Sequence, residues 1–386
     1  MTTGDNPAHG GGTQPKAATG TGGPGADAPG SVADRVRGAF AGLAIGDAVG
    51  WPAGRHRSAL LAPWTRRLGR ELDLFAEEHR VTTLPVPFAL NQPVAPLAMG
   101  PSDDAEWLAW TALGIGTDRA EAFAALAGRA DVRARISVRT ALDNLARGAR
   151  PPHTGHDNPH FFDDAAAVRA VAFGAARPGD PEGAADDAQA DAEVTNSGDG
   201  VSAARAMAAA VAAAVGGAGP AEALAAGTAH LPAGSAINAV VGEALAEVER
   251  AAPAQPFDLV PALEAVCCDH VYSYGTAAQA TLGAAFALTG AAGGALGPAV
   301  SAAACLAPLA DSAPALTGAL AGALGGHLAI APAWRARAAP LAGCCLPELA
   351  GTDLVGVADA LAASSRSDRG DRSDNDDRGA GARRNP

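Results

Sequence analysis

The residues most able to do chemistry in this 386-residue chain stand together in the segment Gly100-Pro-Ser-Asp-Asp-Ala-Glu-Trp107. A hydroxyl group, that of Ser102, and the adjacent carboxylates of Asp103 and Asp104 come just before the apolar start of a helix. Hard cations such as Mg²⁺ take several oxygen ligands in near-octahedral order, and this turn offers three. Alternatively, Ser102 or Asp103 caps the helix, where acidic groups suit the helix dipole. Capping accounts for one aspartate and leaves the second unexplained.

Two further acidic positions each allow two interpretations. Glu106 is either an exposed helix residue or a group that moves protons during a reaction. The pair Asp163-Asp164 either contacts a substrate or caps the helix predicted over 164–176. The sequence alone leaves both questions open.

Two other segments contain unusual side chains. The histidines at 153, 156 and 160 have the spacing of a helical metal-binding face, but the surrounding prolines favour a loop with exposed histidines. The segment Asp269-His-Val-Tyr-Ser-Tyr-Gly275 holds both tyrosines of the chain. It either lines a pocket and stacks on adenine or forms a buried, hydrogen-bonded corner, which we favour.

The elements that must position these residues are predicted to be helices. Aromatic residues make up 4% of the chain, and β-branched residues are scarce, which argues against a sheet. Long Ala/Leu segments favour helices packed through small side chains. One helix begins at Ser31 and runs into the segment 46–50. The others are predicted over 66–80, 104–113, 119–128, 136–147, 164–176, 182–194, 200–215, 220–227, 236–250, 259–268, 276–288, 296–306, 315–327 and 352–363.

Composition also predicts the domain organisation and excludes some partners. Residues 1–30 and 364–386 have too few large apolar side chains to fold, so we expect disordered tails around one domain over 31–363. A net charge of −13 argues against a nucleic-acid polymer as partner. No segment resembles a signal peptide or a membrane span, so we expect a soluble cytoplasmic protein without a membrane partner.

The pattern of cysteines also favours a cytoplasmic location. Their number is odd, two pairs are adjacent in sequence, and Cys-x-x-Cys spacing is missing. We therefore interpret them as buried free thiols in a reducing cytoplasm. They are Cys267, Cys268, Cys305, Cys344 and Cys345.

The segment Ser102-Asp-Asp104 resembles the Thr-Asp-Asp-Thr motif of the ADP-ribosylglycohydrolase family. Four other segments resemble parts of that family in the same order, so that the resemblance covers about residues 33–335. They are Gly42-Leu-Ala-Ile-Gly-Asp-Ala-Val-Gly50, Asp163-Asp-Ala-Ala-Ala-Val-Arg-Ala170, Thr195-Asn-Ser-Gly-Asp-Gly-Val-Ser-Ala-Ala204 and Asp311-Ser-Ala-Pro-Ala-Leu-Thr-Gly-Ala-Leu-Ala-Gly322.

This resemblance implies an all-α domain, a compact multi-helix bundle, with its site where the helix starts near 102 and 311 meet. It implies a site for one or two Mg²⁺ (or Mn²⁺) ions that orient the ribose of an ADP-ribosylated protein or of a small ADP-ribosyl substrate. The implied metal ligands are Ser102, Asp103, Asp104, Asp311 and Ser312. The implied catalytic residues are Asp103, Asp104 and Glu106, and the implied substrate contacts are Asp47, Asp163, Asp164 and Asn196.

The chain also departs from the family pattern. The last motif keeps one aspartate, Asp311, where the family has two. Gly54 stands where a glutamate is common, and Asn196 replaces a histidine. Fewer carboxylates mean weaker metal binding, or one ion instead of two. Two functions therefore stay open: a Mg²⁺-dependent hydrolase that removes ADP-ribose or cleaves a related glycosidic bond, and a catalytically impaired relative that binds ADP-ribose or a nucleotide or has a structural role.

Overall fold

The protein is all-α, as predicted. The computed structural model describes residues 28–50, 78, 100–268 and 275–364. Among these residues none belongs to a β-strand. Two isolated bridges, Asp163 with Ala277 and Pro340 with Asp353, are the β-type pairings seen there.

The helices follow one another along the chain with short connections. They are α1 (Val32–Gly50), α2 (Asp103–Leu113), α3 (Arg119–Ala124), α4 (Ile136–Ala146), α5 (His153–His156), α6 (Ala165–Ala176), α7 (Pro181–Thr195), α8 (Asp199–Gly216), α9 (Pro220–Thr228), α10 (Ala236–Ala251), α11 (Val260–Cys267), α12 (Ala278–Ala291), α13 (Leu296–Cys305), α14 (Ala313–Gly325), α15 (Pro332–Ala338) and α16 (354–364). Single 3₁₀ turns lie at Pro256–Leu259, Ala307–Leu309, His327–Ala329 and Pro347–Leu349.

Most of these helices match their predicted bounds to within a few residues. Two short helices were not predicted, α5 and α15. The loop predicted around the histidines is wrong at α5, where a single helical turn follows Pro152, but His153 and His156 are exposed as expected. Proline is compatible with the start of a helix because the first N–H groups have no partner there, and α15 begins at Pro332 for the same reason.

Some predictions fall on residues that the structure does not describe. The helix over 66–80, apart from residue 78, and the segment 269–274 lie outside the described residues, and so does Gly54. The predicted tails also lie outside them, except for residues 28–30 and 364. The single domain over 31–363 stays a prediction.

Two other predictions concern the burial of the cysteines and the lack of membrane-spanning helices. All five cysteines are free, but Cys305 and Cys344 are exposed, so the prediction that every thiol is buried is wrong for these two. Cys305 is the last residue of α13, where the chain leaves the core. Within the described ranges, no helix combines the length and apolar character needed to cross a bilayer.

The core is built from helices that are apolar on nearly every face. In α8, fourteen of the eighteen residues are buried, mostly alanines, and this helix packs against α6, α7 and α9. A helix that is apolar all round belongs in the interior. Its small side chains let neighbouring helices come close, which explains how a chain so poor in aromatic residues builds a dense core.

The closest approach is between α1 and α14, which run antiparallel. A Cβ atom added to Gly42 would lie 2.0 Å from the carbonyl oxygen of Gly318, and one added to Gly318 would lie 2.0 Å from the oxygen of Gly42. Gly38 meets Gly322 in the same way, at 2.1 Å. Backbone therefore packs on backbone, and this contact fixes the end of α1 against the start of α14.

Asp47, near the end of α1, ties that helix to the start of α2. One carboxylate oxygen accepts hydrogen bonds from the backbone N–H groups of Ser102 (2.6 Å) and Ala105 (3.2 Å), and the other accepts from the Ser102 hydroxyl (2.6 Å). The side chain of Ser102 itself makes no capping bond. Capping of this helix by the Ser102 side chain is therefore wrong: Ser102 stands at the capping position, but the N–H of Ala105 is bonded by Asp47, a carboxylate from a different helix.

The α1–α14 contact generates a first prediction. We expect Gly42→Ala to lower the free energy of unfolding by about 2 kcal/mol or more, because the new methyl group overlaps backbone atoms that cannot move aside. Chemical denaturation of both proteins measures the change. Gly242→Ala is the matched control: this glycine is inside α10 with open space around it, so the change should stabilise by about 0.5–1 kcal/mol. Equal effects of the two substitutions would contradict the close contact.

The Asp47 contact generates a second prediction. Each buried N–H group left without an acceptor costs about 1–3 kcal/mol, so Asp47→Ala should lower the unfolding free energy by at least about 2 kcal/mol. Asp118→Ala is the control, since Asp118 is an exposed cap with one bond, to the N–H of Glu121, and should cost about 1 kcal/mol or less. A smaller loss for Asp47→Ala than for Asp118→Ala would show that Asp47 does not hold α2.

Candidate metal and substrate site

Four helix starts converge on one place in the fold. Asp103 and Asp104 lie in the first turn of α2, Asp164 directly precedes α6, and Ser312 directly precedes α14. The fourth start is that of α4, which Arg135 precedes. The positive ends of helix dipoles favour carboxylates at such positions and disfavour an arginine.

Arg135 is the centre of this cluster, and sequence reasoning missed it. Its Nη2 donates to Asp104 Oδ1 at 2.9 Å and to the hydroxyl of Ser312, and it lies 3.5 Å from Asp311 Oδ2. Its Nη1 donates to Asp164 Oδ1. The side chain of Arg135 is 12% exposed. One guanidinium group thus contacts side chains of the motifs around 104, 164 and 311, so that Asp104 and Asp311 both lie beside Arg135.

A signal for Arg135 was present in the sequence. The residue stands immediately before a helix, where its charge opposes the dipole, and its side chain does not cap that helix. A cation in such a position needs anions nearby to compensate it. The sequence does not indicate which anions these are, because the aspartates come from distant parts of the chain.

Three buried carboxylate oxygens of this region have no hydrogen-bond partner among the described residues. They are Asp104 Oδ2, Asp163 Oδ2 and Asp164 Oδ2. All three side chains are at most 2% exposed. A buried acceptor without a donor is costly, so these oxygens indicate a place for a cation, a water molecule or the hydroxyl groups of a ligand.

The oxygens of this region are of the type that hard cations prefer, but they are not gathered as one set of metal ligands. Carboxylates and hydroxyls are the ligands that Mg²⁺ and Mn²⁺ prefer. However, the described ligand atoms that all lie within 4.8 Å of one another belong to Glu106, Cys344 and Cys345, not to the aspartates around Arg135. The guanidinium group already occupies the space among those aspartates.

Burial and charge shape the acid–base properties of the cluster. Burial raises the pKa of Asp104 well above its usual range, and Asp103, Asp47 and Asp311 add to the effect while Arg135 opposes it. Burial likewise raises the pKa of Asp164 to about 7, again against the effect of Arg135. Burial works against the charge of Arg135, but its carboxylate neighbours raise its pKa, so it stays charged. Burial thus favours the protonated form of both carboxyl groups, and Arg135 favours the ionised form.

Asn196 holds Asp163 in place. Its Nδ2 donates to Asp163 Oδ1 at 2.9 Å and to the Asp163 carbonyl at 3.0 Å, and its Oδ1 accepts from Thr195 Oγ1 at 2.7 Å. Asp163 Oδ1 also accepts from the N–H of Ala165, the first residue of α6, at 3.2 Å, whereas the Asp164 side chain, directly before that helix, makes no capping bond. The structure places Asn196 behind Asp163, and its amide is used within the protein.

A buried network of ion pairs holds Thr195, the residue whose hydroxyl donates to Asn196. Arg169 Nη2 donates to Thr195 Oγ1 at 2.7 Å, and its Nε donates to Asp191 at 2.7 Å. Arg119 donates to the other Asp191 oxygen at 2.8 Å and lies over the ring of Trp110. Sequence reasoning also missed this network. The signal was a single arginine in the Ala-rich helix α6, because a buried charge requires a partner.

Glu106 is fully buried, so its interpretation as an exposed helix residue is wrong. Its carboxylate accepts hydrogen bonds from three successive backbone N–H groups, those of Cys344 (2.7 Å), Cys345 (2.7 Å) and Leu346 (2.9 Å). A hydrogen bond between the side chains of Cys344 and Cys345, together with burial, raises the pKa of the Cys345 thiol, which disfavours a thiolate ligand. We interpret this group as an anchor for the segment 344–346, not as a metal site.

The histidines at 153, 156 and 160 have surroundings different from those of the oxygens around Arg135. His153 and His156 are exposed, and the ring of His160 stacks on that of Phe162 at 6.1 Å. Among the described residues, the side chains that contact Arg135 carry carboxylate and hydroxyl oxygens.

Comparison with known proteins identifies the family and the fold. The sequence model of the ADP-ribosylglycohydrolase family matches residues 28–370. A chain from the solved structure "ADP-ribosylglycohydrolase-related protein complex" has the same fold, with a TM-score of 0.55 and 21% identity over 87% of this chain and 99% of that one. No curated protein sequence matches this chain. Since the family pattern extends over most of the residues and contains the segments that meet at Arg135, this chain belongs to the ADP-ribosylglycohydrolase family.

Proposed function

We propose that this protein is a hydrolase that uses one Mg²⁺ or Mn²⁺ ion to release ADP-ribose from a modified side chain, or to cleave a related glycosidic bond. The observation that carries the proposal is Asp104 Oδ2, a buried carboxylate oxygen without a partner among the described residues, in a cluster of hard oxygen ligands. Membership in a glycohydrolase family supports the type of reaction.

Five residues would hold the ion. They are Asp103, Asp104 and Asp311 through carboxylates and Ser102 and Ser312 through hydroxyls. A bound ion would supply positive charge that orients ribose hydroxyls and positions water. Asp47 keeps the Ser102 turn in place, and the backbone contact between α1 and α14 keeps Ser312 opposite it.

Other carboxylates are suited to contact the substrate. Asp163 Oδ2 and Asp164 Oδ2 are buried acceptors without partners among the described residues. Each carboxylate is held through its other oxygen, by Asn196 and by Arg135 respectively. We propose that they accept hydrogen bonds from substrate hydroxyls, because rigidly held acceptors orient a ligand at low entropic cost. Asn196 then acts as a positioning residue for Asp163, and Asp103 and Asp104 stay the proposed catalytic carboxylates.

The proposed role of Glu106 changes from proton transfer to positioning. Its three hydrogen bonds from backbone N–H groups leave it poorly suited to exchange a proton with a substrate. We propose that it holds the segment 344–346 beside Asp103, since both carboxylates act electrostatically on the Cys345 thiol. The cytoplasmic location and the nature of the partner, a modified protein or a small ADP-ribosyl compound, stay predictions.

A second function has one observation in its favour. Arg135 already satisfies oxygens of Asp104, Asp164 and Ser312, which an ion would otherwise contact. With Asp311 as the last motif's remaining aspartate, the site could instead bind ADP-ribose without hydrolysing its attachment. Catalysis and binding predict different results in the following experiment.

The third prediction concerns activity. We expect weak, Mg²⁺-dependent release of ADP-ribose from an ADP-ribosylated arginine or serine peptide, measured by chromatography. Asp103→Ala, Asp104→Asn and Asp311→Ala should each lower the rate on the order of 100-fold, because small misplacement of the reacting groups costs large factors. Asp186→Asn, at a carboxylate that is 70% exposed, is the control and should keep the wild-type rate.

One result would favour the second function. If the wild type releases nothing with saturating Mg²⁺ or Mn²⁺, while ADP-ribose still raises its Tm, the protein binds the ligand without cleaving it. A rate that is unchanged in Asp104→Asn would also contradict the proposed role of Asp104.

A further inference from the structure

We propose that the guanidinium group of Arg135 occupies the place of one divalent cation, so that the protein supplies part of the positive charge of its own site. The site would then hold one ion where the family resemblance implies up to two. The identity of that ion rests on the proposed function. It gives Arg135, which no sequence motif includes, a definite role.

The contacts of Arg135 are those expected of a cation among ligands. Its two terminal nitrogens reach oxygens that precede or begin three different helices, on Asp104, Asp164 and Ser312, with Asp311 at 3.5 Å. A guanidinium group is planar, stays charged and donates several hydrogen bonds in a fixed fork. It can therefore bridge carboxylates that would otherwise repel one another.

Neighbouring arginines behave differently. Arg133 is exposed, and Arg139, one turn into α4, donates to the backbone carbonyls of Arg129 and Val132. In the described part of this segment, the side chain of Arg135 is the one that reaches the aspartates. Its charge before α4 is unfavourable for the helix dipole, so the carboxylates must compensate for it.

The negative charge around Arg135 is of the kind that a cation at this place compensates. Four carboxylates act on Arg135, those of Asp164, Asp104, Asp311 and Asp103. The chain has also lost a carboxylate from the last motif, where Ala313 and Pro314 follow Ser312. Fewer carboxylate ligands and an internal cation both reduce the number of ions that the site can hold.

The fourth prediction tests the assignment by metal stoichiometry. Calorimetric titration of Mn²⁺ into the full chain should show one ion per wild-type molecule and two per Arg135→Gln molecule. Arg147→Gln is the matched control, because it removes an exposed arginine just after α4, and should bind one ion. Arg135→Lys keeps a cation at this place and should also bind one ion.

The results separate this inference from the proposed function. If the wild type binds no ion but Arg135→Gln binds one, Arg135 replaces the cation and the metal-dependent hydrolase proposal fails. If wild type and Arg135→Gln bind equal numbers of ions, the inference is overturned. Two ions bound to Arg135→Lys would overturn it as well, because charge at this place would then not limit binding.

A second measurement applies if the Arg135→Gln variant folds poorly without metal. Its carboxylates would then repel one another, so Mn²⁺ should raise its Tm by several degrees more than it raises the Tm of the wild type. An equal rise for the two proteins would show that Arg135 and the ion do not occupy equivalent places.

Discussion

The arrangement of the site depends on the ion pairs between Arg135 and the aspartates around it. Buried carboxylates repel one another and lose hydration, so several of them can share a small volume only with a cation among them. Here the protein provides that cation before any ion binds. One carboxylate oxygen of Asp104 stays without a hydrogen-bond partner among the described residues even with the guanidinium group beside it.

The remainder of the fold brings these charges to one point. The backbone contact between Gly42 and Gly318 fixes two antiparallel helices relative to each other. Hydrogen bonds to Asp47, near the end of α1, then fix the turn before α2. On the other side, buried Arg169 and Asn196 hold the turn at Asp163. Small residues and buried hydrogen bonds thus replace the large aromatic side chains that many cores use. The same rigidity that positions the aspartates limits their ability to close around two ions.

Much of the fold could be predicted from sequence because it depends on local properties. The abundance of alanine and the scarcity of β-branched residues indicated helices, and the order of the motifs indicated the family. Sequence analysis missed or misassigned the residues whose roles depend on contacts between distant segments. Arg135 meets Asp311 only in the folded chain, and Glu106 is buried because three backbone N–H groups of a remote loop reach it. Capping of α2 by Asp47 likewise follows from helix packing, which no local pattern indicates.

A crystal structure of the wild-type protein with Mn²⁺, analysed by anomalous scattering, tests the central claim most directly. The account predicts one anomalous peak, in contact with Asp104, while the guanidinium group of Arg135 stays on Asp164. Two peaks among the aspartates, or one peak with Arg135 turned away from Asp164, would contradict the claim that an internal cation takes the place of a metal ion.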